Sequence, residues 1–114
     1  MLYRRIRLCA AAACAALAIS LVPHAGASGT VEVIVDNYKY QPAELKVKVG
    51  TTVRWVNREK RTSHSVIWLG PDGGYESDRF FPDESYERKF DKPGTFPYTC
   101  GPHPEMKGVV IVTP

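Results

Sequence analysis

Four side chains carry the chemistry open to this chain. Cys100, His103 and Met106 sit three residues apart in Cys-Gly-Pro-His-Pro-Glu-Met, and His64 lies 36 residues before the cysteine. A thiolate, a thioether and two imidazoles form a soft donor set that suits copper, with two His and one Cys as strong ligands and Met as a weak axial one. Such a set serves one-electron exchange between Cu(I) and Cu(II). Zinc takes Cys and His in fours, or in threes with a water, and has little use for a thioether. Taken singly, each residue is ordinary: a lone Cys or Met is most often packing material. Their combination in one short loop is what has chemical meaning.

The elements around these residues sharpen that reading. Residues 1–27 have the form of a secretory leader, with Arg4, Arg5 and Arg7, an apolar run over 8–22, and Ala25-Gly26-Ala27 as a small-residue cleavage site. The run of 15 residues falls short of the roughly 20 that a membrane-spanning helix needs. Cleavage after Ala27 leaves 87 residues, a single domain, and removes Met1, Cys9, Cys14 and His24. The remaining chain then holds one Cys, two His and one Met, the four residues named above. A lone thiol in an oxidising compartment has no internal disulfide partner and is open to oxidation, which favours a metal-bound role. Three of the 15 basic residues lie in the leader, so the mature chain balances 12 basic against 12 acidic residues. Nothing in that balance points to nucleic acid or to a lipid surface as partner.

From Thr30 onward the sequence consists of short β-type runs punctuated by turn residues. Val31, Val33 and Val35 alternate with polar or outward positions, as do Leu45, Val47 and Val49. Further runs cover residues 52–57, 65–69, 85–90, 94–99 and 109–113, and no stretch keeps a helical period. At least seven short strands with Gly and Pro turns predict an all-β sandwich or barrel. Residues 40–42 and 70–81 read as connections. Strand alternation places Phe96, Tyr98 and Cys100 on one face, and His64, Val66 and Trp68 on one face of another run. Both runs therefore aim a ligand at one apolar pocket.

Over residues 31–112 the chain resembles the cupredoxins, the small type 1 blue-copper proteins, and among them the amicyanins most closely. The resemblance rests on Tyr38-Lys39-Tyr40, Glu44-Leu45, Val47-Lys48-Val49-Gly50, Trp55, Asn57-Arg58-Glu59, Gly94-Thr95-Phe96, Tyr98 and the short Cys100-x₂-His103-x₂-Met106 loop. It implies a cupredoxin-like Greek-key β-sandwich of about eight strands and periplasmic electron transfer. It also implies one type 1 copper ion held by His64, Cys100, His103 and Met106, with His103 as the surface port. The chain departs from the pattern at three positions. Ser65 stands where the family often has Asn, and Gly101 where it often has a hydroxyl residue, so the side-chain bridge between ligand loops cannot form through residue 101. Glu105 replaces an aromatic residue beside the port, which argues against methylamine dehydrogenase as the partner.

The sequence thus reads as a periplasmic monomeric electron carrier without catalytic activity of its own, working between a c-type cytochrome or periplasmic dehydrogenase and another redox protein. A periplasmic copper-delivery protein is the alternative, and a small zinc hydrolase a third. Charge is unevenly spread: residues 29–61 carry seven basic and four acidic groups, and residues 72–91 carry seven acidic and three basic. That dipole would orient a charged partner, with Arg58, Lys60 and Arg61 on the approach to His64. Pro102 and Pro104 bracket His103, fix φ and offer no N–H to the thiolate. Fewer hydrogen bonds leave more charge on sulfur and favour Cu(II). A Pro102→Phe variant should therefore show a higher reduction potential by voltammetry; an equal or lower value would contradict this reading of the loop.

Overall fold

The computed structural model describes residues 29–70 and 73–114, so the leader inferred over residues 1–27 lies outside the described residues. Valine-rich alternation builds most of the strands. The described residues form nine: β1 (Thr30–Asp36), β2 (Lys39–Gln41), β3 (Glu44–Lys48), β4 (Thr52–Asn57), β5 (Ile67–Trp68), β6 (Tyr75–Glu76), β7 (Ser85–Lys89), β8 (Gly94–Thr99) and β9 (Lys107–Thr113). They make a four-stranded sheet in the order β2-β1-β4-β7 and a five-stranded sheet in the order β3-β9-β8-β5-β6. β1 runs parallel to β4 and β3 parallel to β9, while the other neighbours are antiparallel. The sandwich expected from the strand pattern is present. No helix among the described residues is long and apolar enough to cross a membrane.

Two stretches read as connections are corrected by the structure. Residues 39–41 form β2, which folds back on β1 with Asp36 opposite Lys39. The two-residue turn between them puts Asn37 at φ 54° and Tyr38 at φ 57°, as a type I′ hairpin requires. Tyrosine in the left-handed region hides this hairpin, because the usual Asn-Gly signal is absent. Residues 70–81 contain β6 and a bridge from Phe80 to His64, so this segment covers the region around the histidine. The strand expected over 65–69 shortens to Ile67–Trp68.

Between the sheets lies a core of valines and large aromatics. Val33, Val35, Val53 and Trp55 from one sheet meet Trp68, Tyr98, Val110 and Val112 from the other. Trp55, Trp68 and Tyr98 are buried with ring centroids 5.1–5.7 Å apart; Trp55 is edge-on to each of the other two, a favoured aromatic geometry, and Trp68 is tilted against Tyr98. The Trp55 Nε1–H donates to the Tyr98 hydroxyl at 3.0 Å, so the buried indole keeps a partner. Burial pushes the Tyr98 phenol well above its ordinary range, so it stays neutral and can accept that bond. On the open side of the core the Arg88 guanidinium lies 4.4 Å from the Trp68 ring centroid and 4.6 Å from that of Phe90. A charge turned inward on an edge strand both packs and discourages strand addition.

Tyr98 pairs with Gly108 across β8 and β9. A Cβ at residue 108 would fall among the atoms of the Tyr98 ring. Gly108→Ala should therefore cost about 1–3 kcal/mol, the usual penalty of overpacking. Chemical denaturation checks this, and an unchanged midpoint would refute it.

Candidate metal centre

The site grows from two chain segments at one end of the sandwich. β8 delivers Cys100 just past its last residue, with the side chain on the buried face shared with Tyr98. The chain then turns through Gly101–Glu105 and re-enters as β9. Two backbone bonds close this loop: Met106 N–H donates to the His103 carbonyl at 2.9 Å, and Cys100 N–H to the Met106 carbonyl at 3.2 Å. Met106 is buried in the same core cluster as Cys100. His103, between two prolines, is only partly covered.

His64 comes from the segment between β4 and β5. Its backbone exchanges two hydrogen bonds with Phe80, at 3.2 and 2.9 Å. Asn57, fully buried at the end of β4, holds the turn that leads to it. The Asn57 amide donates to the carbonyls of Thr62 at 2.8 Å and Phe80 at 3.0 Å, and its oxygen accepts from Glu59 N–H at 2.8 Å. Its side chain thereby ties the loop leading to His64 to the Phe80 segment that the histidine bridges.

The two segments meet at the sulfur. His64 Nδ1 lies 3.5 Å and His103 Nδ1 3.9 Å from Cys100 Sγ. One donor atom from each of the three residues falls within 4.8 Å of the others. On its far side the His64 ring presents Nε2 to the Glu59 carboxylate at 3.1 Å. A carboxylate can only accept, so it selects the tautomer with hydrogen on Nε2 and leaves the Nδ1 lone pair facing the thiol, a common outer arrangement at metal-binding histidines. The same Glu59 oxygen accepts from Tyr38 N–H at 2.7 Å. This ties the strained hairpin to the site and seats the Tyr38 ring edge-on to His103, with centroids 4.8 Å apart.

The sulfur is further held by Ser65 N–H at 3.5 Å. The absence of a side chain at Gly101 does not leave the loops untied. Gly101 N–H donates to Ser65 Oγ at 3.0 Å, so the backbone replaces the missing side chain. Beneath this contact the Tyr40 hydroxyl donates to the Ser65 carbonyl at 2.7 Å. Burial, reinforced by the nearby Cys100, pushes the Tyr40 phenol far above its ordinary range and keeps it a donor.

Sequence reasoning named His64, Cys100, His103 and Met106, and the structure puts the first three in one cluster with Met106 buried beside the cysteine. It gave no structural role to Asn57, Glu59, Tyr38 or Glu76. A carboxylate five residues before a candidate ligand was the available hint for Glu59. Two nitrogens and a buried thiol at this spacing, already oriented and with a thioether nearby, fit a copper ion.

Comparisons with known proteins agree with this arrangement. A family model described as a cupredoxin-like domain matches residues 8–112. Amicyanin-alpha of Methylorubrum extorquens is 40% identical over 107 residues, covering 90% of this chain and 87% of the relative. Amicyanin of Paracoccus denitrificans is 36% identical over 88 residues, covering 75% and 67%. Among solved structures, a Cu(I) form of an amicyanin variant superposes with a TM-score of 0.70 at 36% identity, covering 76% of this chain and 85% of that one.

Burial lowers the His64 proton affinity below the ordinary histidine range, with Glu59 pulling the other way and His103 adding to the depression. In the metal-free protein the unfolded chain, with its imidazole near pH 6.5, then binds more protons than the folded one. Stability should be fully present above about pH 6.5 and fall as the pH drops through the interval down to the folded-state value, by at most ~1.4 kcal/mol per pH unit from this group. Urea titrations of metal-free wild type and His64→Gln across pH 7.5 to 5 test this. Equal pH slopes in the two proteins would rule it out.

Proposed function

The chain belongs to the cupredoxin-like family, and from that membership we propose that it is a periplasmic type 1 blue-copper electron carrier, with His64, Cys100, His103 and Met106 as the ligands. The observation that carries the proposal is the meeting of His64 Nδ1, Cys100 Sγ and His103 Nδ1 within 4.8 Å of one another. Bound there, copper supplies the one-electron Cu(I)/Cu(II) couple. The chain supplies geometry and access. Cys100 provides the buried sulfur, shielded from solvent oxidants. Glu59 fixes the His64 ring and Asn57 the turn that carries it, so that little movement is needed when the charge of the site changes. Met106, buried in the same cluster as Cys100, would supply a weak thioether donor.

His103 is the port between the buried donors and the surface, with Tyr38 standing against its edge. A cleft beside Tyr38 is lined by Arg58, Lys60 and Arg61. Arg58 is ion-paired with Asp83 at 3.0 Å, so Lys60 and Arg61 carry most of the charge that faces outward. This rim suits an acidic redox protein, such as a c-type cytochrome or a periplasmic dehydrogenase, docking by a small and transient contact. The leader over residues 1–27 directs export. No substrate chemistry is assigned to the protein, which passes electrons between larger partners as a monomer.

The copper-loaded protein should show the intense visible absorption of a Cu(II)–thiolate bond, and Cys100→Ser should be colourless; a colourless wild type would refute the proposal. Its electron exchange with an acidic redox protein should slow as salt rises. A Lys60→Glu, Arg61→Glu double variant should slow it at low salt by about tenfold and flatten the salt dependence. Stopped-flow rates that ignore both changes would exclude electrostatic docking on this rim.

A further inference from the structure

The tie between the two ligand segments contains a residue that no ligand role explains. Ser65 Oγ accepts from Gly101 N–H at 3.0 Å and donates its single hydroxyl hydrogen to Glu76 Oε2 at 2.7 Å. Glu76 is in β6, which pairs with β5 directly after the His64 segment. Its carboxylate lies where a side chain at residue 101 would project. A Cβ built there would collide with Glu76 Oε2 and approach Ser65 Oγ to 2.6 Å. The φ of Gly101 is not in the left-handed region, so backbone conformation does not demand glycine here. Occupied space does.

Resting on the copper reading above, we infer that Glu76 is a positioning residue for the metal centre: acting through the Ser65 hydroxyl, it fastens the Gly101 amide and so holds the cysteine loop against the histidine segment. A serine hydroxyl has one hydrogen and two acceptor positions. With the hydrogen committed to a carboxylate, the oxygen must present a lone pair to Gly101. Without Glu76 the hydroxyl can rotate, and the bond to Gly101 loses its fixed acceptor. Bonds to an ionised acceptor are about twice as strong as neutral ones, which suits this arrangement. The Glu76 side chain is 41% exposed and its other charged neighbour, Arg79, stands 3.9 Å away. Its charge therefore acts on the site through a solvent-screened path, and the hydrogen bond carries the effect. Glycine at 101 and glutamate at 76 are a matched pair.

The test has a metal-free arm and a copper-loaded arm. In the metal-free protein, amide hydrogen exchange at Gly101 should rise about tenfold in Glu76→Ala, the factor an ordinary hydrogen bond contributes. Glu76→Gln keeps an acceptor oxygen and should stay within about threefold of wild type. Asp78→Asn, which removes a charge of the same sign two residues away, should change nothing. Gly101→Ala should speed exchange at its neighbours in the wild-type background and have a smaller effect in Glu76→Ala, because the closer of the two collisions is gone and the Ser65 hydroxyl is free to turn away. In the copper-loaded protein, Glu76→Ala should shift the EPR spectrum and the reduction potential, with Glu76→Gln restoring most of the spectrum. Unchanged Gly101 exchange in Glu76→Ala, or equal effects of Gly101→Ala with and without Glu76, would overturn the inference. A wild type that binds no copper would defeat the functional proposal instead, and the metal-free arm would still decide this one.

Discussion

The structure depends on how one sulfur atom is held. Cys100 Sγ sits fully buried between two imidazole nitrogens and the Ser65 amide. A free thiol in that setting has few stabilising interactions of its own, and three groups are turned toward it from two segments that are 36 residues apart in sequence. Folding brings the β4–β5 connection and the β8–β9 loop together around this atom. The cost of this order falls on hydrogen bonds that do not touch the sulfur at all: those of the Asn57 and Glu59 side chains and the Ser65 hydroxyl.

The sandwich makes such ordering possible. Trp55, Trp68 and Tyr98 lock the two sheets together beneath the site, and the indole-to-phenol bond removes the polar penalty of burying them. β4 and β8, which lead toward His64 and Cys100, lie inside their sheets with neighbours on both sides. Strand interiors are among the stiffest parts of a small domain. Loops anchored on them inherit that stiffness, and Pro102 and Pro104 extend it to His103. A rigid donor set is what a one-electron carrier needs, because movement of the ligands would slow each transfer.

Much of this was legible in the sequence, for identifiable reasons. Three of the four proposed ligands fall in a short motif, and strand alternation alone places Cys100 with Tyr98 and His64 with Trp68 on buried faces. Valine alternation likewise marked β1, β3, β4 and β9. What escaped notice depends on tertiary contact. The Asn37–Tyr38 hairpin has a side chain where glycine is customary, and the Glu59 carboxylate that accepts the Tyr38 amide lies 21 residues away. β6 is too short to show a period. The bond from Ser65 to Glu76 joins residues whose types carry no local signal, so the empty position at Gly101 looked like a lost bridge when it is an occupied space.

The most direct test of the account is a pair of crystal structures, metal-free and copper-loaded, compared at the ligand atoms. If the fold prepares the site in advance, His64 Nδ1, Cys100 Sγ and His103 Nδ1 should coincide in the two forms to within about 0.5 Å, with the Glu59 contact to His64 kept in both. A metal-free form in which the His64 ring has left Glu59, or in which the cysteine loop has moved away from Ser65, would contradict it.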